Sequence, residues 1–542
     1  MKTLGCVVVL LCAFAVPARA QVYSGCNVPT ATSGHTWYID PVNGKSPAAG
    51  GKGSQASPWN SLSGVLDGHW TQSQFSVPGY TRPLLSSIPY YHIVNGTRGV
   101  TADQAGNPPV QPGDALYLMS GNYGDVYLGD YDINTFNSAW VTVQAAPGQI
   151  PAFTTLYIHS TNKWVFNGIK VQSINGTNNN GNALVMLTDQ GPSYPTTDIV
   201  LENLQISSAD STAGWTQAQW VAQARYGYEV YGSAGNGTNG VPYTNCISLA
   251  GSHIQNVRTG AILSGNNLMF TNNIIDHFGD DGIDYAANNL AITHNTLHDN
   301  LNIGDGNHED AMQGQNGALP AGAALNYFSN ILIDSNLILR QTDPQLAFPQ
   351  YLQGIDAFDE DWTNMTVTNN VVVTSSCYGI GLASIHNSLI AGNTVVEDGL
   401  YSVPGCTAAI TVGGATHEGP VSTNTVVRNN LTSQLNVDNR DVGVTMDHNV
   451  VLCCTGPYIS WYPNGVVQYV TQPGVYGNGN IVETEGTKGE FVNFNPATLT
   501  YTVMLKSGAT AIGAGIAGGP TVDILGVKRA SPYEAGAYSY PY

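Results

Sequence analysis

Carboxyl groups that could exchange protons with a substrate are concentrated in three short segments near the middle of this 542-residue chain. The segments are GDDGID (279–284), HEDAMQ (308–313) and QGIDAF (353–358). Charged residues make up only 10% of the chain, so this concentration is local and does not reflect the composition. Glycoside hydrolysis needs one carboxylic acid and one carboxylate beside the bond that is cleaved. Carboxyls held close together supply such a pair, because their repulsion raises the pKa of one member.

A repeat along the chain explains how these segments could come together. An apolar residue, two variable residues, Asn, one variable residue and an apolar residue recur at spacings of 22, 41, 34, 23, 36 and 20 residues. Such a period, built from short β-rich runs, indicates stacked coils, and the longer spacings indicate coils that carry inserted loops. Asn suits the position because stacked amides can hydrogen-bond along the stack. The repeat places Asn at seven positions: Asn273, Asn295, Asn336, Asn370, Asn393, Asn429 and Asn449.

A second short strand follows the Asn of each coil, and aligning these strands sorts their residues into columns. Strand alternation sends one column into the core and the next column outward. The inward column reads Ile283, Met312, Ile355, Ile380 and Ile410. The outward column reads Asp284, Gln313, Asp356, Gly381 and Thr411, and two positions before the inward column stand Asp281, Asp310, Gln353 and Tyr378. The alignment predicts one acidic patch across three adjacent coils, bracketed by loops over 301–309, 316–328 and 341–351.

The repeat resembles the coils of right-handed parallel β-helix proteins of the pectate-lyase-like superfamily. WYIDPVNGKSP (37–47) is similar to the N-terminal segment of many carbohydrate-active β-helices, and TVDILGVKRASPYEAGAYSY (521–540) is similar to their closing segment. The resemblance implies an all-β fold, a right-handed parallel β-helix. We expect an N-terminal cap and first coils over 21–160, coils with inserted loops over 161–485 and a closing segment over 486–542. The same fold serves lyases, hydrolases, epimerases and adhesins, so it leaves the chemistry open.

A partial resemblance to the polygalacturonase family of β-helix hydrolases bears on that chemistry. GDDGID (279–284) looks like the first aspartate motif of that family, EDAM (309–312) stands where its paired aspartates fall, and CYGIGLAS (377–384) resembles its GHG motif. The chain departs from the family in four ways. Glu309-Asp310 replaces a double Asp, Tyr378 replaces the His of GHG, an extra coil intervenes, and no Arg-Ile-Lys motif follows to bind a uronate carboxylate. The resemblance therefore implies inverting hydrolysis by aspartates, on a neutral or weakly charged glycan.

Each residue of the patch receives a predicted role in a polysaccharide-degrading glycoside hydrolase. Asp310 is the predicted general acid because crowding favours its protonated form. Asp284 is the predicted base, with Asp281 as the substitute. Asp284 and Asp356 are expected two coil spacings apart, roughly 9.6 Å along the stack, near the upper end of the ~6.5–9.5 Å that leaves room for an attacking water. The full predicted catalytic set is Asp310, Asp284, Asp281, His308 and Asp356, and the predicted substrate-binding set is Gln313, Gln315, Glu309, Arg258 and Tyr378.

Other interpretations of the patch stay open. A polysaccharide lyase would use Arg, Lys, His or Tyr as the base, often with Ca²⁺ bound to the carboxylate of a uronate. The sequence has no Lys between Lys170 and Lys488, and Arg340 is the best candidate for a lyase base. A non-catalytic carbohydrate-binding or surface protein would favour aromatic residues over acids. The patch could also be a solvated acidic face or a structural Ca²⁺ site, although no cofactor is required for the predicted activity. In the run from Asp356 to Trp362, a cation site and an acidic loop with an exposed Trp are equally consistent with the sequence.

The termini and the composition indicate the compartment. Residues 1–20 have a Lys, an apolar run and small residues at Ala18 and Ala20, which is typical of a signal peptide. We therefore expect a secreted or periplasmic monomer with disulfides among the six remaining cysteines, which allow 15 connectivities. Without residues 1–20, 15 basic residues stand against 37 acidic ones, which disfavours nucleic acid and anionic membranes as partners. The expected partner is a polysaccharide or oligosaccharide.

Overall fold

Strands dominate the described part of the chain. The computed structural model describes residues 23–46, 49–67, 76–77, 80–81, 90–94, 97–101, 110, 112–129, 137–173, 183–189, 195–231, 243–315, 325–401, 407–413, 420–438, 440–452, 459–461, 468–469 and 479–541. The predicted signal peptide, Cys406, Cys453 and Cys454 lie outside these residues.

The coils stack into a right-handed parallel β-helix, which confirms the predicted fold. Each complete coil contributes one strand to each of three parallel sheets, here called A, B and C. Strand-to-strand connections within a parallel sheet are right-handed in nearly all proteins. Two long strands, Ala261–Thr271 and Ile283–Thr293, cross the corner between sheets A and B, so both sheets share them.

The strand bounds follow the coils in order. Sheet A adds to the two shared strands Asp125–Gly129, Thr155–His159, Val185–Thr188, Tyr228–Val230, Asp310–Gly314, Gln353–Ala357, Tyr378–Leu382, Ala409–Val412, Gln434–Val437 and Ile459–Trp461, with Gln468–Tyr469 antiparallel to the last. Sheet B adds Thr36–Ile39, Ala115–Leu118, Val141–Ala145, Asn162–Asn167, Thr197–Glu202, Asn245–Ala250, Tyr327–Asp334, Asp361–Thr368, Ile385–His386, Leu389–Ala391, Val426–Arg428 and Thr445–Asp447. Sheet C consists of Gly121–Asn122, Pro151–Phe153, Lys170–Gln172, Gln205–Ser207, His253–Val257, Ile274–Phe278, Thr296–His298, Leu337–Leu339, Val371–Thr374, Thr394–Glu397, Leu431–Thr432, Val450–Val451 and Ile481–Val482.

The remaining described elements lie outside the three sheets. The antiparallel pairs are Ser76–Val77 with Tyr80–Thr81, Tyr90–Val94 with Thr97–Thr101, and Phe491–Asn495 with Thr500–Leu505. The helices are Leu62–Asp67, Gln217–Gln223, Thr487–Glu490 and the 3₁₀ turn Pro496–Thr498. No helix in the described residues is long and apolar enough to cross a membrane.

The inward column of sheet A has the register that the sequence predicts. Ile283 pairs with Met312, Met312 with Ile355, Ile355 with Ile380, and Ile380 with Ile410. All five side chains are fully buried. Because successive side chains of a strand point to opposite faces, this register turns the next column away from the core.

The Asn ladder is confirmed at six of its seven predicted positions. The side-chain nitrogen of each rung donates to the Oδ1 of the next rung at 2.9–3.1 Å. The same Oδ1 also accepts the backbone N–H of the rung before it. The prediction of Asn429 is wrong, since Asn430 holds that rung. The residue before a rung adopts a left-handed conformation, and Asn429, with φ of 55°, is that residue. The rungs are Asn273, Asn295, Asn336, Asn370, Asn393, Asn430, Asn449 and Asn480.

Both ends of the described chain are attached to the coils. Cys26 and Cys246 form a disulfide across 220 residues, and Cys377 is also disulfide-bonded. Toward the C-terminus, an apolar cluster joins buried sheet C residues such as Val373 and Leu431 to Phe491 and Leu505. The Asn429 side chain binds both backbone groups of Ile516 there, so the residue displaced from the ladder holds the closing segment instead.

Candidate active site

The outward column of sheet A carries the acidic patch across adjacent coils. Asp284 pairs with Gln313 and Gln313 with Asp356, so the two aspartates lie two coil steps apart. Asp310 pairs with Gln353 at the start of the same strands. The columns therefore bring the predicted carboxyls together, although this placement does not by itself assign their roles.

An open pocket of about 400 Å³ lies beside the first two coils of the patch. Asp281 and Asp284 line it, and the third acidic coil does not. The other lining residues come from the two preceding coils, from an inserted loop and from the two acidic coils themselves: Tyr226, Arg258, Thr259, Ile262, Asp305, Gly306, Asn307, Asp280 and Gln315. A substrate in this pocket would therefore meet Asp281 and Asp284 first.

Asp284 is the half-buried carboxyl of the pocket wall. Its Oδ1 accepts a hydrogen bond from Gln315 Nε2 at 3.2 Å. Burial, supported by the negative charges of Asp310 and Asp280, raises the pKa of Asp284 to about 7, while the Gln315 hydrogen bond acts in the opposite direction. A carboxyl with this pKa can carry a proton near neutral pH and release it to a leaving group.

Asp281 connects the pocket to the carboxyl behind it. Its Oδ1 accepts the backbone N–H of Asp310 at 2.9 Å, and Asn307 Nδ2 donates to its Oδ2 at 3.4 Å. Burial, reinforced by the charges of Asp284 and Asp310, raises the pKa of Asp281 well above its usual range. Because these aspartates interact, they titrate as a set and share protons.

Asp310 lies behind the pocket wall, with a side chain only 1% exposed. Its Oδ2 is 3.0 Å from Nδ1 of His308, a side chain that is 53% exposed. Gln353 Nε2 lies 3.2 Å from the same imidazole nitrogen. Burial raises the pKa of Asp310 and His308 opposes the rise; the hydrogen bond in turn raises the pKa of His308. His308 thus connects the buried carboxyl to solvent.

Asp356 is the most enclosed member of the set. It is 2% exposed, and it lies close enough to Asp310 for the two carboxyl groups to affect each other's ionisation. Gly381 lies so close that a Cβ there would be 2.5 Å from Asp356 Oδ1 and 2.5 Å from the Phe358 ring. Burial and the charge of Asp310 raise the pKa of Asp356 well above its usual range. Asp356 therefore favours its protonated form.

A second group of charges borders the pocket. Arg258 Nε donates to Asp280 Oδ2 at 3.0 Å, and its Nη2 donates to Asp305 Oδ2 at 2.7 Å. Glu309 is 1% exposed, and burial, with the charges of Asp280 and Asp305, raises its pKa to about 8. Arg258 is held by two carboxylates, so it offsets only part of the negative charge of this wall and is not available as a base.

Inserted segments wall the pocket on one side. Trp220, on the helix Gln217–Gln223, packs in an apolar cluster with Leu301, Ile303 and Leu346. Gln217 Nε2 donates to the Asn302 backbone carbonyl at 2.8 Å, which ties the helix to the loop that carries Asp305 and Asn307. Residues 305–307 of the predicted loop 301–309 line the pocket, whereas none of its lining residues comes from 341–351, and residues 316–324 of the third loop lie outside the described residues.

The remaining sequence predictions around the site have mixed outcomes. Gln313 stands between Asp284 and Asp356, and Tyr378 packs edge-on against Phe358 at 4.9 Å, so their binding roles stay predictions. Arg340 is wrong as a lyase base, since it is fully buried and bonded to Asp398 at 2.6 Å. The exposed Trp considered at Trp362 is also wrong, because this side chain is fully buried.

Residues upstream of the aligned coils were missed. Tyr226 and Thr259 line the pocket two positions before Tyr228 and Ala261, and Ala261 pairs with both Tyr228 and Ile283. Extending the column alignment by two coils would have found them. Within the described part of the chain, no group of three His, Cys, Asp or Glu residues is arranged to hold a metal ion. Calcium stays a prediction.

Comparison with known proteins supports the fold. A family model described as a right handed beta helix region matches residues 243–426. This part of the chain is right-handed parallel β-helix. No curated protein matches the chain in sequence.

The solved structures that resemble the chain do so weakly. A pectate lyase, Pel9A, matches 94% of this chain and 97% of its own at 12% identity and a TM-score of 0.32. A GH136 lacto-N-biosidase from Eubacterium ramulus matches 83% of this chain and 68% of its own at 11% identity and a TM-score of 0.41. A PL6 alginate lyase matches 69% and 91% at 11% identity and a TM-score of 0.34. Similarity at this level does not bear on the chemistry.

Proposed function

We propose that the protein is a glycoside hydrolase that cleaves a polysaccharide with inversion of configuration. The observation that carries the proposal is the set of interacting carboxyls, Asp281, Asp284, Asp310 and Asp356, with two members on a pocket wall and a pKa of about 7 at Asp284. Hydrolysis needs a protonated and an ionised carboxyl at once, and a set that shares protons supplies both states near neutral pH.

The burial of Asp310 suggests a division of work that differs from the sequence-based one. The roles predicted from sequence, Asp310 as acid and Asp284 as base, stay a prediction. Asp284 is half-buried on the pocket wall, whereas the Asp310 side chain is 1% exposed. In the arrangement that this favours, Asp284 gives the proton to the leaving oxygen, Asp281 activates water, and Asp310 and His308 return the proton from solvent.

Charge supports a neutral or weakly charged glycan as the substrate. The pocket is lined by four aspartates, and Arg258, the cation beside them, is held by Asp280 and Asp305. A uronate would meet like charges without a free partner, which costs binding free energy. We further propose that the protein acts outside the cytoplasm, as the signal-like residues 1–20 and the Cys26–Cys246 disulfide support.

The test is a panel of polysaccharides assayed for new reducing ends and for unsaturated products that absorb in the near ultraviolet. We expect reducing ends alone, with product anomers of inverted configuration by NMR. Asp284→Asn should lower kcat by roughly 10²–10⁴-fold, the usual contribution of a positioned acid or base. Asp447→Asn, which removes a carboxyl paired with Arg428 on sheet B, is the matched control and should keep full activity.

Other outcomes would contradict the proposal in distinct ways. Unsaturated products would make the protein a lyase, and retained configuration would require a closer carboxylate pair. Turnover of Asp284→Asn at the wild-type rate would exclude Asp284 from proton transfer. Asp310→Asn, assayed in parallel, separates the two assignments: an acid that touches the sugar costs kcat at every pH, whereas a proton reserve costs it mainly at alkaline pH.

A further inference from the structure

A second cavity lies on the outer face of sheet C, on the first coils of the solenoid. Its volume is about 560 Å³, within the ~300–1,000 Å³ typical of sites for small ligands. The floor is formed by strands Gly121–Asn122, Pro151–Phe153 and Lys170–Gln172, and the segment 208–223 forms a side wall. None of its lining residues belongs to the active-site pocket.

The polar groups of this groove are uncharged or already paired. Gln172 Nε2 in the floor donates to Ser207 Oγ at 3.3 Å, and Gln223 supplies a second amide from the side wall. The carboxylate of Asp210 is bonded to Lys170 at 2.5 Å, and this hydrogen bond lowers the pKa of Asp210. Because the one ion pair is internally neutralised, the groove favours a neutral ligand that both donates and accepts hydrogen bonds.

An indole is held in place at the wall of the groove. Trp215 is half-buried, and its ring meets that of buried Trp220 edge to face at 5.4 Å. Its backbone N–H donates to Thr212, and Asn256 holds the same loop by accepting from Thr212 Oγ1 at 3.0 Å and donating to the Ala209 carbonyl at 3.2 Å. The indole is thus oriented before any ligand arrives, which lowers the entropy cost of binding.

We propose that this groove is a non-catalytic binding site for a neutral oligosaccharide segment. A pyranose ring has an apolar C–H face that packs on an indole and a rim of hydroxyls that exchange hydrogen bonds with amides. Trp215 supplies the apolar surface for the sugar ring, and Gln172 and Gln223 supply the amides that hydrogen-bond its hydroxyls. The ligand class rests on the proposed function, whereas the existence of the site rests on the geometry of the groove alone.

The groove is connected to the active site through one inserted segment. Trp215 and Gln223 line the groove, while Gln217 of the same segment bonds to Asn302 and lies against Gly304 in the loop of the pocket. One segment therefore contacts both the groove and the loop of the pocket, and a polysaccharide long enough to reach from one to the other would have a raised effective concentration at the pocket.

The test measures retention of the full-length protein by native electrophoresis in gels that contain xylan, galactan, hydroxyethylcellulose, starch or a soluble β-1,3-glucan. All proteins carry Asp284→Asn, so that hydrolysis does not consume the polymer. We expect retention on at least one polymer, and Trp215→Ala and Gln172→Ala should each weaken it at least tenfold. Tyr327→Ala removes an exposed aromatic from sheet B and is the matched control with unchanged retention.

Two variants and a stability measurement separate loss of binding from loss of folding. Gln172→Ala guards against a folding defect of Trp215→Ala, and melting temperatures of both variants are compared with that of the parent. Equal retention of the parent and both variants, or no retention on any of the five polymers, would overturn the site. Failure of the hydrolase proposal would look different. The protein with Asp284 intact would not cleave the polymer, while its retention in the gel would still depend on Trp215.

Discussion

Proton exchange at Glu309 connects the chemistry of the site to the stability of the fold. The side chain is 1% exposed and its pKa is raised from 4.5 to about 8 by burial. In the unfolded chain the group ionises near its ordinary pKa, so the folded state binds more protons between these two values. The stability that this proton contributes is complete below the unfolded pKa and is lost as the pH rises through the folded pKa.

We therefore predict that Glu309→Gln flattens the pH dependence of stability. Between pH 5 and 8 the free energy of unfolding of the wild type should fall relative to the variant by up to ~1.4 kcal/mol per pH unit. Denaturant titrations at each pH measure the difference. Glu485→Gln, which changes an exposed glutamate, is the control, and a Glu309 variant that follows the wild-type slope would contradict the raised pKa.

The hydrogen bond from Gln315 to Asp284 offers a test of proton transfer without loss of the carboxyl. This bond lowers the pKa of Asp284, which stands at about 7. We predict that activity declines above about pH 7 as Asp284 ionises, and that Gln315→Ala moves this alkaline limb to higher pH. The pH profile of kcat/KM measures it. Gln313→Ala, which changes the neighbouring residue of the outward column, is the control and should not shift the alkaline limb of the pH profile. If Gln315→Ala does not shift this limb either, Asp284 is not the general acid.

At the scale of the elements, the sequence predicts the columns of the strands correctly, but it predicts the rungs of the Asn ladder only in part. Alternation with a period of two leaves one choice of register once Ile283, Met312 and Ile355 are aligned, since a slip by one residue would bury the aspartates' column. Asn429 fits the repeat better than Asn430, which has Thr432 at the second apolar position, and only the left-handed residue before the rung identifies Asn430 as the rung. The segment 208–223 escaped prediction because it precedes the aligned coils.

The ladder predicts a large difference between buried and exposed asparagines. Asn370 is fully buried, donates to Asn393 Oδ1 and to the Ile333 carbonyl, and accepts two bonds from Asn336. Asn370→Ala removes the two bonds that Asn336 donates and the bond to the Ile333 carbonyl, whereas Asn393 Oδ1 keeps the bond from the Asn370 backbone N–H. A buried donor or acceptor that is left without a partner costs ~1–3 kcal/mol.

A second, exposed row of amides supplies the control for this prediction. Asn330 bonds to Asn289 at 2.9 Å and has a φ of 62°, so Asn330→Gly removes an amide without backbone strain. Chemical denaturation should place this variant within ~1 kcal/mol of the wild type. Similar losses for Asn370→Ala and Asn330→Gly would mean that the buried ladder contributes no more than the surface row.

At the scale of the whole molecule, the solenoid was predictable because stacked coils reuse one pattern. The site was predictable only as a patch, since the burial of Asp310 depends on the inserted loops, whose positions the repeat does not determine. Chain length gives little information about such a fold, because coils extend one core without starting another. The predicted domain division, the monomeric state and the calcium ion stay predictions.

The Cys26–Cys246 disulfide predicts a dependence of global stability on a single bond. It closes a loop with a sequence separation of 220, and long loops lose the most entropy in the unfolded chain when they are closed. Cys246→Ser should lower the free energy of unfolding by ~2–5 kcal/mol. Cys26→Ser should match it, and the double variant should lose nothing more. Additive losses would show that each cysteine acts through separate contacts.

The Asn ladder has a direction. From Asn273 to Asn449, one N–H of each amide donates to the rung of the following coil, and the other N–H donates to a backbone carbonyl of the preceding coil. Each Oδ1 accepts from the rung before it, so the amide carbonyls all point toward the preceding coil, and their dipoles add as peptide dipoles add in an α-helix. The core of the described coils thus contains a row of aligned dipoles. Its positive end lies at the last rung and its negative end at the first, so the two ends of the row are electrostatically distinct.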